Sequence, residues 1–289
     1  MIKGLIVKSI SGEYVVECGE DLFTCKPRGV FRHNKISPKV GDIVEVDENN
    51  LITKVFTRKN DLVRPFVCNV DKAFLVFSVK EPELNLNLLD RLLSIMEFND
   101  IQSIIIFSKI DLLEKEDDIK EYNIVKDYYQ KIGYKVYETD NENYDEEILN
   151  EFKGSICFLA GQSGVGKSSF LNKINEELSL KTNEISHALG RGKHTTRHTE
   201  LHKVYGGYLA DSPGFGIVSF EEMDLLSLSQ SFKEFFEYSE SCKFSKCMHI
   251  NEPKCCIKEK VENNEILKTR YENYLLFVKE IEKNIKNKY

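Results

Sequence analysis

Ile156-Cys157-Phe158-Leu159-Ala160-Gly161-Gln162-Ser163-Gly164-Val165-Gly166-Lys167-Ser168 decides the fold. Five residues with apolar side chains read as a buried strand, and a glycine-rich turn follows. Phe170, Leu171 and Ile174 then recur on one face of a helix-capable stretch. Strand, glycine loop and helix in that order make a phosphate-binding loop. The glycines let backbone amides turn inward, Lys167 reaches the β and γ oxygens, and the Ser168 hydroxyl coordinates magnesium. The bland alternative is a glycine-rich turn with an exposed lysine, and the strand before and helix after disfavour it.

Two further elements belong to the same chemistry. Asp211-Ser212-Pro213-Gly214 follows a strand expected over residues 205–210. Its aspartate would hold magnesium through water, and the Gly214 amide would meet the γ-phosphate. Upstream, Ser108-Lys109-Ile110-Asp111 closes the buried run Ser103-Ile104-Ile105-Ile106-Phe107. In Asn-Lys-x-Asp elements the Asp accepts hydrogen bonds from guanine N1 and N2, the Lys stem packs on the base, and the Asn braces the loop. Serine replaces that asparagine here, which predicts weaker bracing. Adenine would leave the acceptors unpaired, so Asp111 predicts discrimination of about 10⁴-fold or more. A Ser-Lys-x-Asp helix N-cap is the competing reading, and the position at a strand end favours base recognition. A second base-contacting loop is expected after the next strand, at Thr139-Asp140-Asn141. The match is poor and no contact is assigned there. The order is unusual: in a Ras-like GTPase the base element comes last, whereas here it precedes the phosphate loop. With every part present, the simplest account is a GTPase domain cut and rejoined in a new order.

Between the phosphate loop and Asp211 lies Gly190-Arg191-Gly192-Lys193-His194-Thr195-Thr196-Arg197. A switch loop must supply a threonine to magnesium and the γ-phosphate. Thr196 is the first choice and Thr195 the alternative. Phe215 stands where a glutamine would orient the attacking water. The expectation is therefore slow intrinsic hydrolysis, on the order of 10⁻⁴ s⁻¹, until a partner completes the site. His194 or a partner group is the candidate for positioning the water, and a bystander role for His194 is an equal reading.

The 289 residues suggest about two domains by length, and 41% hydrophobic residues suffice for sizeable cores. No apolar run approaches the ~20 residues a bilayer span needs. Lysines interrupt the first eight residues too early for a signal peptide, so a cytoplasmic chain with no membrane partner is expected. The net charge of −7 argues against general coating of nucleic acid. Lysines and arginines at both ends, including Lys3, Lys26, Arg28, Lys258, Arg270 and Lys286, are weak evidence for a local anionic partner.

Residues 1–64 alternate in short runs separated by turn signals such as Ser11-Gly12 and Val40-Gly41-Asp42. Five strands in that length suit an OB-type β-barrel, and a barrel that only packs on its neighbour is the plainer reading. From residue 70 strands and helices alternate in a doubly wound α/β pattern, with helices expected near 119–131 and 145–152. After residue 222 the signal turns helical, ending in a charged amphipathic helix, whole or broken, over 261–287.

Embedded there, Cys242-x₄-Cys247-x-His249-x₅-Cys255 offers three thiolates and an imidazole. That is a complete tetrahedral set for zinc, with no open position, so a structural role is expected. Cys256 is adjacent and competes with Cys255 on sequence alone. Cys18, Cys25, Cys68 and Cys157 read as small core residues.

Taken together, the permuted order, Gly190–Arg197, Asp211-Ser212-Pro213-Gly214-Phe215 and the cysteine–histidine cluster resemble the ribosome small-subunit-dependent GTPase A family. The resemblance spans essentially the whole chain. It implies an OB barrel (1–64), a circularly permuted GTPase domain (65–221) and an α-helical zinc-binding domain (222–289). It implies GTP and GDP as nucleotides, one structural zinc ion, and late maturation of the small ribosomal subunit as the task. The subunit and its rRNA would be the partners and would stimulate hydrolysis by a monomeric chain. Carried over by position, nucleotide ligands fall on Ser108, Lys109, Ile110 and Asp111, on Gly161, Gln162, Ser163, Gly164, Val165, Gly166, Lys167, Ser168 and Ser169, and on Thr196, Asp211 and Gly214. Magnesium falls on Ser168 and Thr196, and zinc on Cys242, Cys247, His249 and Cys255. A regulatory GTPase with a protein partner, or a nucleic-acid module with structural nucleotide, are the competing readings.

Overall fold

A computed structural model describes residues 1–29, 31, 37–62, 65–140, 143–178, 200–210 and 219–287. The strands are β1 (Ile2–Ile10), β2 (Glu13–Cys18), β3 (Asp21–Pro27), β4 (Ile43–Val46), β5 (Leu51–Val55), β6 (Lys72–Ser78), β7 (Gln102–Ser108), β8 (Lys135–Thr139), β9 (Ile156–Ala160), β10 (Leu201–Val204) and β11 (Gly207–Ala210). The α-helices are α1 (Leu86–Phe98), α2 (Glu116–Lys131), α3 (Lys167–Leu178), α4 (Leu225–Gln230), α5 (Lys233–Ser239), α6 (Cys256–Glu262) and α7 (Lys268–Asn287). The described residues fall into two compact units.

The first unit opens with the five strands the sequence predicts. Tyr14, Val16 and Cys18 of β2 point inward while the residues between them are more exposed, the period-two pattern of a half-buried strand. The strands close in the order β1-β2-β3-β5-β4, with β3 and β5 parallel. Closure removes the unpaired edges an open sheet would expose. Gly4 sits where β1 and β2 approach closely, and a Cβ there would come within 2.5 Å of the Cys18 sulfur.

The barrel's exit is fastened by paired charges. Arg58 donates to both oxygens of the fully buried Asp42 at 2.7 and 2.8 Å. The buried Lys39 ammonium donates to Asp61 and to the Leu62 carbonyl. Such charges are tolerated inside a protein when each has a partner.

The same unit holds a 3₁₀ turn (Glu146–Phe152), β9, α3 and the hairpin β10–β11, with β11 parallel to β9. A helix was expected near 145–152, and the 3₁₀ turn occupies that place. A single strand was expected over 205–210, and the chain instead forms a hairpin. Its two turn residues, Tyr205 (φ 46°) and Gly206 (φ 75°), both take the left-handed conformation that two-residue hairpins favour. Tyrosine carries no such signal in sequence, which is why the turn was missed.

The second unit contains β6 from Phe74 onward, α1, β7, α2, β8, the loop Gly161–Gly166 and helices α4 to α7. β7 and β8 are parallel and in register from Ile104↔Lys135 to Ser108↔Thr139. The C-terminal helix breaks once, at residues 263–267, between α6 and α7. Phe220, Phe232, Phe235, Tyr274, Phe277 and Ile281 form the centre of its core.

A buried ionic network ties α7 to α1 and α5. Arg270 donates to Asp90 at 2.6 Å and to both Glu234 oxygens at 2.5 and 3.0 Å, and all three side chains are 1% exposed. Tyr129, Asn273 and Tyr128 supply further donors at 2.6, 2.7 and 3.1 Å. Burial pushes the Asp90 carboxyl above its ordinary value, and Arg270 opposes that shift first. Arg270→Met would strand two buried carboxylates. We expect a loss of about 3–5 kcal/mol, read as a lowered urea midpoint at unchanged slope. A variant within about 1 kcal/mol of the parent would show that the network is dispensable.

Candidate nucleotide site and metal centre

β9 delivers the chain into the glycine loop, and α3 begins at Lys167. Each glycine has its own reason. A Cβ on Gly161 (φ 141°) would lie 2.0 Å from the Val76 carbonyl oxygen, so only glycine fits. Gly164 (φ 80°) and Gly166 (φ 93°) take backbone conformations costly for other residues. Val165 is buried beneath the loop, while Ser163, Ser168 and Ser169 are exposed and Gln162 is half-buried. On α3, Phe170, Leu171 and Ile174 form the buried face that the sequence predicts. Burial holds the Lys167 ammonium below its ordinary value, and the weaker screening at a partly buried position strengthens its attraction to any anion that reaches it.

The Ser-Lys-x-Asp element stands at the end of β7, in the same compact unit as the glycine loop. The buried Ser108 hydroxyl donates to the Val165 carbonyl at 2.5 Å. The shorter serine, expected to brace more weakly than asparagine, does reach the loop. Gly166 explains it: even a Cβ there would stand only 3.9 Å from Ser108, so the loop comes close enough for a short side chain. Lys109 (φ 60°) caps the 3₁₀ turn Ile110–Leu112, and its ammonium donates to the Glu81 carbonyl. Asp111 lies exposed on that turn and Ile110 is half-buried.

Beside Ser108, Thr139 ends β8 with its hydroxyl donating to the Asn143 carbonyl at 2.9 Å, and the Asp140 carboxylate accepts from the Asn143 amide at 2.6 Å. The chain therefore turns sharply at the place where a second base loop was sought. Thr139 pairs with Ser108 across β7 and β8, and residues 141–142 lie outside the described residues. His194, Thr195, Thr196, Asp211, Gly214 and Phe215 also lie outside them.

The four metal-ligand candidates do converge. The Cys242, Cys247 and Cys255 sulfurs and one His249 ring nitrogen all lie within 4.8 Å of one another. His249 Nδ1 is 3.7 Å from Cys242 Sγ and 3.4 Å from Cys255 Sγ. A tetrahedral zinc with bonds of about 2.0–2.3 Å needs ligand atoms about 3.3–3.8 Å apart, and the two His249–sulfur separations fall in that range. Cys256 is not among the converging atoms. It opens α6, whereas Cys255 is the N-cap residue. Burial holds His249 below its ordinary value, favouring the neutral imidazole a metal requires. The Glu252 carboxylate accepts from the amides of Met248, Ile250 and Asn251, fixing the loop. Tyr271 and Tyr274 of α7 donate their hydroxyls to the carbonyls of His249 and Met248 at 2.7 and 2.5 Å. Zinc there would supply cohesion and no reaction chemistry. Among the described residues no helix is long and apolar enough to cross a membrane.

Residues 3–52 match the RsgA N-terminal domain and residues 53–221 match the RsgA GTPase family. The chain is 45% identical over 291 residues to the small ribosomal subunit biogenesis GTPase RsgA of Bacillus subtilis, covering 97% of this chain and 98% of the relative. It is 46% identical over 288 residues to RsgA 2 of Oceanobacillus iheyensis, covering 98% of each. Among solved structures it is similar to YloQ, a circularly permuted GTPase (TM-score 0.83, 38% identity, 98% of this chain and 96% of that one). YjeQ from Thermotoga maritima has the same TM-score at 36% identity, covering 97% and 98%.

Proposed function

This chain belongs to the RsgA GTPase family and is a GTP hydrolase, and we propose that it acts late in maturation of the small ribosomal subunit, which stimulates its turnover. The subunit is named in the curated relatives, and the extension to its rRNA, to a monomer and to the cytoplasm is part of the proposal. So is the division into modules 1–64, 65–221 and 222–289.

The observation that carries the nucleotide reading is the Ser108–Val165 hydrogen bond. It ties the strand end from which the Asp111 turn follows to the loop that would cradle phosphate. Asp111 would accept from guanine N1 and N2, and the Lys109 stem would pack on the base. Gly161 to Ser169 would hold the phosphates, with Lys167 on the β and γ oxygens. Ser168 and Thr196 would ligate magnesium, Asp211 would reach it through water, and the Gly214 amide would meet the γ-phosphate. Cys242, Cys247, His249 and Cys255 would hold a structural zinc ion.

Phe215 offers no hydrogen bond to an attacking water. Turnover of the isolated chain is therefore expected on the order of 10⁻⁴ s⁻¹, with His194 or a subunit group completing the site on docking. Turnover should rise by orders of magnitude when purified small subunits are added. Co-sedimentation with them should weaken as salt rises, because phosphate contacts release counterions. A rate indifferent to added subunits would overturn the proposed task while leaving the GTPase assignment intact.

A further inference from the structure

Strand β1 changes partners along its length. Residues 2–5 pair with β4, the register against β2 slips between Ile6 and Lys8, and beyond the slip Lys8 makes an antiparallel bridge with Glu200. Glu200 immediately precedes β10, and the Lys8 ammonium meets its carboxylate at 2.7 Å. On β2, Glu17 accepts from the Tyr208 hydroxyl of β11 at 2.8 Å and from the Lys203 ammonium of β10 at 2.9 Å. The Glu17 side chain is 11% exposed, so solvent and salt screen these contacts less than a surface pair. Burial, and then Glu17, push the Tyr208 phenol up to about 12.

The hairpin's place in the chain gives these contacts meaning. β10 follows the segment Gly190–Arg197, and β11 ends at Ala210, next to Asp211. Its turn end is pinned: a Cβ on Gly207 would lie 1.8 Å from the Phe152 carbonyl oxygen, and the Tyr205 hydroxyl donates to the Ile174 carbonyl at 3.1 Å. A two-residue turn makes the pair one stiff ribbon. A pull from either switch segment must therefore appear at the open end, and Lys8 holds that end.

We propose that hairpin β10–β11 carries the nucleotide state to the barrel, with Lys8–Glu200 and Glu17 as the coupling contacts. Lys8 and Glu17 are positioning residues in this scheme, since neither belongs to the nucleotide site. The inference rests on the reading of the chain as a nucleotide-switched GTPase and adds a route to a module that no nucleotide contact requires to respond.

Hydrogen exchange on the full-length chain tests it, comparing GDP with a non-hydrolysable guanosine triphosphate analogue. The amides of residues 7–10 and 15–18 should exchange at different rates in the two forms. Glu17→Gln and Lys8→Glu should each abolish that difference, while helix α3 keeps its own response. The double variant Lys8→Glu with Glu200→Lys should restore it, which assigns the loss to the ion pair itself and not to either position alone. Barrel amides indifferent to nucleotide while α3 responds would overturn the coupling, as would a difference that survives in Lys8→Glu. An unresponsive α3 would instead remove the switch reading beneath it, and the coupling with it.

Discussion

Chelating the zinc proposed for the cluster of Cys242, Cys247, His249 and Cys255 is expected to open residues 240–255 and leave the surrounding helices standing. Within that stretch the buried side chains are Cys247, His249 and Cys255, which are themselves candidate ligands. A loop with so little apolar burial cannot offset an ordering entropy of about 1–2 kcal/mol per residue. A bound zinc supplies apparent free energy on the order of 10 kcal/mol and decides the balance. The tyrosine tethers to His249 and Met248 contribute about 1 kcal/mol each and cannot replace it. Helices α5 and α7 behave differently, because Phe232, Phe235, Tyr274 and Phe277 pack together and Arg270 is locked by its carboxylates. Chelation should therefore expose Lys243 and Lys246 to rapid tryptic cleavage with little loss of helical circular dichroism. Cys247→Ser should behave like the chelated protein, and Cys256→Ser like the parent. Metal analysis should return one zinc per chain. An unchanged digestion pattern after chelation would remove the metal's structural role.

The parts of this chain that were legible in sequence are those whose physics is local. β2 alternates because one face meets the barrel interior, and the glycine loop announces itself through conformations other residues avoid. The permuted order could be read because each motif carries its own chemistry, independent of chain position. The partner of Ser108 was not legible, because a short side chain's reach depends on the approach of the Val165 backbone, which only the folded chain shows. The Arg270 network was invisible for another reason. Its partners lie 180 and 36 residues away, and the hint was a carboxylate set inside the apolar run Leu88-Leu89-Asp90-Arg91-Leu92-Leu93. This bears on how the helical segment is tested. Deleting residues 223–289 would remove α7 together with Arg270 and Asn273 and uncover the face of α1 that carries Asp90, so lost activity in that truncation would report folding. Point substitutions in the zinc loop avoid the ambiguity.

Asp111→Asn should convert a guanosine-selective protein into one that no longer distinguishes guanosine from adenosine nucleotides. The argument turns on donors and acceptors. A carboxylate only accepts, and guanine presents an N1–H and an amino group to it, two charge-assisted hydrogen bonds. Adenine presents an acceptor at N1 and no amino group at C2, so the carboxylate would face a lone pair after losing its water. That mismatch supports discrimination of about 10⁴-fold, close to 5.5 kcal/mol. The amide of asparagine offers one acceptor and two donors, so one guanine bond is lost and an N–H is aimed at an amino group. The same amide matches xanthine, whose C2 oxygen accepts where guanine's amino group donates. Competition against a fluorescent guanosine diphosphate should show guanosine affinity falling steeply, xanthosine affinity rising, and adenosine affinity little changed. The Ser108–Val165 brace should persist, since Asp111 lies on the exposed turn beyond it, and thermal stability should stay near that of the parent. Retention of full guanosine preference by the variant would mean that recognition lies elsewhere in the chain, and the base-reading role of the Ser-Lys-x-Asp turn would have to be abandoned.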